Sequence, residues 1–145
     1  MDASLGNKSY ISTSGYGYSK KRSQSVATWF INQYFPRHKL FLDIHHRGMK
    51  REDTFGYLDC VGSQSRPRMF LIELQSNMDM LQYTKTLLHE LVHLKQWVEG
   101  SLRLKSGRFN WKGVDISGMD YLSQPHEEEA FRMEETLYNR YVFDI

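Results

Sequence analysis

Residues 87–94 read Leu-Leu-His-Glu-Leu-Val-His-Leu, and the interpretation of the whole chain depends on this stretch. In a helix, His89 and His93 would lie about 40° apart around the axis and one turn apart along it. Two imidazoles so placed can bind the same zinc ion. Glu90 would point about 100° away from His89, where a carboxylate can hold a water molecule without binding the metal itself. The stretch therefore predicts a metal-binding helix; the alternative is an amphipathic helix that carries two histidines by chance.

The flanking sequence favours the helix. Ser76 and Asp79 are spaced as an N-terminal capping box, and Gly100 suits a helix end, so the pattern predicts a helix over about residues 78–98. One side of its helical wheel is apolar, and the two histidines lie on the other side. The apolar side comprises Leu81, Leu87, Leu88, Leu91, Val92 and Leu94. Such a helix separates a hydrophobic core from a cleft.

Length and composition indicate one ordinary globular domain. The chain has 145 residues, 14% of them aromatic, and a formal net charge of +2, which argues neither for nor against a nucleic-acid partner. Cys60 is the only cysteine, which excludes a disulfide framework and a cysteine-based metal site. The sequence shows no signal peptide and no membrane-spanning apolar run. We therefore expect a cytoplasmic protein without a membrane partner.

The remaining sequence predicts an α+β fold. Residues 1–22 are rich in Ser, Gly, Tyr and Lys and are interpreted as a flexible arm, whose basic residues beside tyrosines allow a weak nucleic-acid contact. Residues 23–145 form the domain, which opens with a helix over residues 23–35. Three strand candidates with short links predict a small, mainly antiparallel sheet. They cover residues 38–46, 54–61 and 69–74.

A last helix, from Pro125 to about residue 142, offers the third metal ligand. Its acidic and imidazole candidates are His126, Glu127, Glu129 and Glu134. On the helical wheel Glu127 and Glu134 lie within the apolar arc, and Glu129 lies at its margin. A carboxylate on the inward face is costly unless it is paired or metal-bound. We therefore predict Glu127 as the ligand, with Glu129 as second choice and Glu134 holding a histidine in place.

Three elements in this order resemble a known pattern. Residues 88–96, with His-Glu-x-x-His followed by Gln96, then residues 111–113 and residues 125–130, resemble small phage and bacterial SprT-like zinc metallopeptidases. The Glu-x-x-Ala element is also similar to that of the gluzincin-type group, which includes the ImmA/IrrE-type peptidases. The resemblance implies a minimal zincin-like domain with an active-site helix and a C-terminal third-ligand helix, and it implies Glu127 as the ligand.

The chain departs from these patterns at two points. His126 stands where the small phage-type pattern usually has tryptophan, which leaves open whether His126 supplements or replaces Glu127. SprT and Spartan proteins use a third histidine as ligand, and no histidine lies between His93 and His126.

The predicted activity is peptide-bond hydrolysis at one catalytic Zn²⁺, with Glu90 as general base and a protein or peptide as substrate. The strand over residues 69–74 is expected to be an edge strand that pairs with the substrate. The sequence does not choose among Tyr121, Tyr138 and His126 as the group that stabilises the oxyanion. It also leaves open the oligomeric state and whether residues 101–120 cover the cleft.

Two alternatives come from other functional classes. The first is a non-catalytic zinc domain that binds a partner, which would have no need for Glu90. The second is a DNA-associated SprT-like protease, with Lys20, Lys21 and Arg22 as the tether.

Overall fold

A computed structural model describes residues 8–145, so residues 1–7 of the predicted arm lie outside the described residues. Its larger sheet has four strands in the spatial order β1-β2-β4-β3. Strand β2 is parallel to both β1 and β4, whereas β3 is antiparallel to β4. The strands are β1 (Tyr10–Gly15), β2 (Phe41–Arg47), β3 (Gly56–Val61) and β4 (Met69–Gln75).

The predicted α+β class is confirmed, but the predicted three-stranded, mainly antiparallel sheet is wrong. Residues 10–15 form the edge strand β1 instead of belonging to a flexible arm. Apart from Ile11, which packs partly against the core, this strand has little apolar character to reveal it. It is held by backbone pairing with β2, and parallel neighbours need a long crossover connection, which helix α1 (Lys20–Tyr34) provides.

Two long helices carry the chemically interesting residues: α2 (Met80–Glu99) and α3 (Pro125–Asp144). Helix α2 begins after Asp79, whose carboxylate accepts a hydrogen bond from the Gln82 amide at 2.8 Å. The predicted capping role of Ser76 is wrong, because its hydroxyl donates to the Tyr16 carbonyl at 2.7 Å instead. Gly100 ends the helix with a φ of 88°, as the sequence predicted.

The core lies between one face of the four-stranded sheet and the helices. Alternate residues of β2 and β4 point into it, among them Ile44 and Ile72, and meet Leu87, Leu88 and Leu91 of α2. The opposite face of the sheet is exposed at the end that carries Phe41 and Met69 and becomes half-buried towards Arg47 and Glu73. No helix in the described part of the chain is long and apolar enough to span a membrane.

Residues 102–115 form a second, three-stranded antiparallel sheet. Its strands are β5 (Leu102–Lys105), β6 (Arg108–Trp111) and β7 (Val114–Asp115). Ser106 and Gly107 both have positive φ, 53° and 77°, as a tight hairpin turn requires. Two short 3-10 helices, Lys50–Glu52 and Tyr121–Ser123, complete the described elements.

Candidate metal centre

His89 and His93 lie one turn apart on α2, on the side that faces α3. Both side chains are buried, even though the face of the helix that packs against the core is formed by its apolar residues. Helix α3 begins at Pro125, whose fixed φ suits a first turn, and this places Glu127 opposite the two histidines. The structure thus brings together the three residues that the sequence predicted as ligands.

The ligand atoms of these residues converge on one point. The Glu127 Oε1 atom lies 3.0 Å from His89 Nε2 and 3.2 Å from His93 Nε2. One ligand atom from each of the three residues lies within 4.8 Å of the others. This buried group could therefore hold a metal ion, and two imidazoles with one carboxylate are a donor set that suits Zn²⁺.

Each histidine is oriented by a bond to its other ring nitrogen. His89 Nδ1 lies 2.8 Å from Glu134 Oε1, which is the holding role that the sequence predicted for Glu134. His93 Nδ1 lies 2.8 Å from the Oε1 of Gln96. Because Glu134 and Gln96 accept at these positions, Nδ1 of each histidine donates there, and Nε2 faces Glu127, to which it donates when protonated and beside which it would offer its lone pair to a metal ion.

Gln96 is itself fixed by two bonds to α3. Its Nε2 donates to the His126 carbonyl at 2.9 Å and to Glu129 Oε1 at 3.0 Å. These acceptors determine which end of the amide faces His93. Glu129, the second choice for the third ligand, therefore contacts the amide that orients His93 and stands outside the converging group. The sequence alone does not reveal this role of Gln96, although its spacing of three residues from His93 places both on one helix face.

The electrostatics of the group call for a cation at its centre. Two neutral imidazole lone pairs and a carboxylate oxygen, all acceptors, repel one another unless a proton or a metal ion lies between them. Burial alone would lower the pKa of His89, but the contacts with Glu127 and Glu134 outweigh it and raise that pKa to about 9. Burial opposes ionisation of Glu127 too, yet the two histidines hold its pKa well below the usual range.

Glu90 is buried beside the group, and its burial raises the pKa of its carboxyl. It lines the same cleft as His93 and Glu127, so it is positioned next to the converging atoms without contributing to them. A carboxyl group with a raised pKa is suited to exchanging protons near neutral pH.

The cleft over the group has a volume of about 440 Å³. Strand β3 forms one wall, and the hairpin residues Leu102, Leu104 and Phe109 form another. Residues 101–120 therefore contribute a wall of the cleft. A smaller recess of about 220 Å³, lined by Phe131 and Glu134, lies on the His89 side.

Two of the three residues considered for stabilising an oxyanion, Tyr121 and His126, line this cleft, and Tyr138 is not among its lining residues. Burial, followed by the charge of Glu127, raises the pKa of the Tyr121 hydroxyl. Burial and the neighbouring His93 lower the pKa of His126 to about 4, so its imidazole is neutral at pH 7.

The prediction that residues 69–74 form an edge strand is wrong. Strand β4 lies between β2 and β3. It pairs with β2 in parallel and with β3 in antiparallel orientation, so neither of its edges is free. The strand whose outer edge borders the cleft is β3, for which the described residues provide a single partner strand.

The chain was compared with known proteins in three ways. No protein-family model, no curated protein and no solved structure matches it. The class that the fold and the site define is therefore an α+β protein with a buried His-His-Glu group that could hold a metal ion.

Proposed function

We propose that the protein is a zinc-dependent peptidase in which His89, His93 and Glu127 hold the ion and Glu90 is the general base. The observation that carries the proposal is the position of Glu90, a buried carboxyl with a raised pKa that shares a cleft with the ligand group. A zinc site that serves folding alone does not need such a group. The proposed relationship to minimal zincin-like, SprT-like peptidases rests on the sequence resemblance together with this site.

A bound zinc ion would supply a Lewis acid and lower the pKa of water at the site. Glu90 would take one proton from the attacking water as the water oxygen bonds to the scissile carbonyl carbon. It would then pass that proton to the amide nitrogen as the carbon–nitrogen bond breaks. The tautomers of His89 and His93 are set beforehand by Glu134 and Gln96, so no proton needs to move on the ligands.

The free edge of β3 is the proposed binding surface for an extended substrate. The Gln75 amide donates to the Phe55 carbonyl at 2.8 Å. Because paired residues alternate in an antiparallel ladder, the backbone groups of Tyr57 and Asp59 also face β4, and those of Leu58 and Cys60 face outward. A peptide could add to this edge as a further strand above the ligand group.

The test separates the ligand from the base. Zinc content and cleavage of a fluorogenic peptide library are measured for the wild type, Glu127→Ala and Glu90→Gln. We expect Glu127→Ala to lose zinc, and Glu90→Gln to keep zinc and lose peptide cleavage. Full zinc in Glu127→Ala would contradict the ligand assignment, and unchanged cleavage by Glu90→Gln would contradict the base assignment.

A second candidate is a zinc domain without catalysis. His126 favours it, because this imidazole lies near Glu127 (3.8 Å between Nε2 and Oε2) and its buried Nδ1 has no hydrogen-bond partner among the described residues. If His126 completed the coordination, no position would remain for water. A wild-type protein that binds zinc but cleaves no peptide, together with loss of zinc in His126→Ala, would support this candidate over the peptidase.

A further inference from the structure

One end of the exposed sheet face carries a row of apolar side chains. Tyr10, Phe41, Met69 and Val61 are register partners across all four strands, so they lie side by side on the face opposite to the core. Their exposed fractions are 68%, 40%, 47% and 43%. Four large apolar side chains in one exposed row are unusual unless the surface binds something.

Positive charge lies on one side of this row, beside Phe41. A concavity next to Phe41 is lined by Arg37, Lys39, Arg66 and Arg68, together with His38, and no carboxylate lines it. None of these four cations forms an ion pair with a residue that the structure describes. The Lys39 Nζ atom lies 5.6 Å from the centre of the Phe41 ring, so charge and aromatic surface are adjacent. We call the four apolar and four cationic residues together the strand-end patch.

The chemistry of the patch discriminates among occupants. In a symmetric dimer through this face, the four cations of one copy would meet those of the other, which is unfavourable. A single-stranded nucleic acid needs the combination present here, because bases stack on exposed aromatic rings and phosphates meet cations. A four-stranded sheet that displays aromatic side chains can hold two or three stacked bases.

We propose that the strand-end patch binds single-stranded nucleic acid, with bases against Phe41 and Tyr10 and phosphates against Arg37, Lys39, Arg66 and Arg68. Asp43 and Asp59, in the next row along the strands, limit the patch on that side. The nucleic-acid strand would therefore follow the row across the sheet. Three inter-strand spacings give this row a length of about 14 Å. This surface is separate from the cleft of the metal centre.

Fluorescence anisotropy of a labelled 20-nucleotide oligothymidine at several salt concentrations tests the proposal with the full chain. We expect Phe41→Ala to weaken binding about tenfold, the scale of one lost stacking contact. We expect Arg66→Glu/Arg68→Glu to reduce the slope of log K against log salt by about 1.4, since each phosphate contact to a single strand contributes about 0.7. Circular dichroism checks that each variant is folded.

Matched variants elsewhere on the chain serve as controls. Phe143→Ala removes another exposed ring, and Lys20→Glu/Lys21→Glu makes the same charge change at the basic residues of the alternative tether, which are exposed in the first turn of α1. Both should bind like the wild type. If Lys20→Glu/Lys21→Glu weakened binding as much as Arg66→Glu/Arg68→Glu, or if Phe41→Ala bound normally, the proposal would be overturned.

Other occupants give distinguishable results. Heparin binding that matches oligothymidine binding in affinity and ignores Phe41 would reduce the patch to a nonspecific anion surface. Binding to phosphatidylglycerol vesicles without binding to oligothymidine would assign it to a membrane. A dimer in light scattering that Phe41→Ala dissociates would assign it to self-association. Each of these outcomes contradicts the proposal. Weak competition by a single thymidine nucleotide supports it, because one nucleotide fills only part of the patch that the oligonucleotide occupies.

Discussion

Glu134 offers the sharpest test of how the metal centre is organised, because it acts on the group from outside. Its Oε1 accepts from His89 Nδ1 at 2.8 Å, and its side chain is 23% exposed. Glu134→Gln keeps the shape of the side chain and an oxygen that can accept from His89 Nδ1. It removes the carboxylate charge, which would make the His89 imidazole a stronger metal ligand. Glu134→Ala removes the acceptor as well.

The size of the effect follows from this geometry. Loss of the partner that orients a metal-bound histidine typically weakens metal binding 10- to 100-fold, or about 1.4–2.8 kcal/mol. Because Glu134 is partly exposed, solvent can replace some of the lost charge. We therefore expect about a tenfold loss of zinc affinity in Glu134→Gln, at the lower end of that range, and a loss towards 100-fold in Glu134→Ala.

Competition against a zinc-chelating dye at fixed pH measures these affinities. Glu135→Gln is the matched control, because Glu135 follows directly in sequence, is 62% exposed and forms an ion pair with Lys85 at the surface. Its zinc affinity should stay within about twofold of the wild type, since exposed ion pairs contribute little. If Glu134→Ala bound zinc as tightly as Glu135→Gln, the orienting role of Glu134 would be refuted.

Three further predictions concern other elements. Gln96→Leu removes the acceptor of His93 Nδ1 and should weaken zinc binding about tenfold or more by the same competition assay, and unchanged affinity would contradict its role. His46 is fully buried, with Nδ1 donating to the Ser14 carbonyl and Nε2 accepting from the Tyr83 hydroxyl, and burial lowers its pKa. Because the folded state disfavours the protonated form, its stabilising contribution is complete above about pH 6.5 and is lost as the pH falls below that value. Urea unfolding of the wild type should show this decline, and His46→Gln should show less of it; equal pH dependence in both would assign the decline to other groups. Asp79→Ala removes the cap of α2 and should lower the free energy of unfolding by about 1 kcal/mol, whereas Asp59→Ala, at an exposed strand position, should change it by less than about 0.5 kcal/mol.

The parts of the site that could be predicted are those set by local helix geometry. The spacing of His89 and His93 fixes their relation on any helix, so the sequence sufficed to pair them. The helical wheel of α3 also separated Glu127 and Glu134 from Glu129 at the margin of the apolar arc, because burial on a helix follows a 100° periodicity. Helices α2 and α3 pack as the helical wheels predict: the inward carboxylates of α3 face the imidazoles of α2.

The parts that could not be predicted depend on contacts between distant segments. Strand β1 is polar and pairs with β2 about 30 residues later, so its stability comes from a neighbour that its own sequence does not specify. The same pairing moves β4 from the edge to the interior of the sheet. Since strand order decides which strand borders the cleft, the sequence placed the edge strand at residues 69–74, whereas the strand at the edge beside the cleft is β3.

The site is also part of what holds α3 to the domain. The four buried residues of this helix are Glu127, Ala130, Leu137 and Tyr141. Tyr141 is fixed at the C-terminal end, where its hydroxyl lies 2.7 Å from the Ser25 hydroxyl of α1.

The N-terminal half of α3 is attached differently, through polar contacts to α2. Glu127 and Glu134 reach His89, and Gln96 reaches the His126 carbonyl and Glu129. Two carboxylates facing two imidazoles are a poor substitute for apolar packing unless a cation neutralises them. Binding of a metal ion would therefore stabilise the half of α3 that the hydrophobic core leaves to polar contacts, and folding of that half and completion of the site would be the same event.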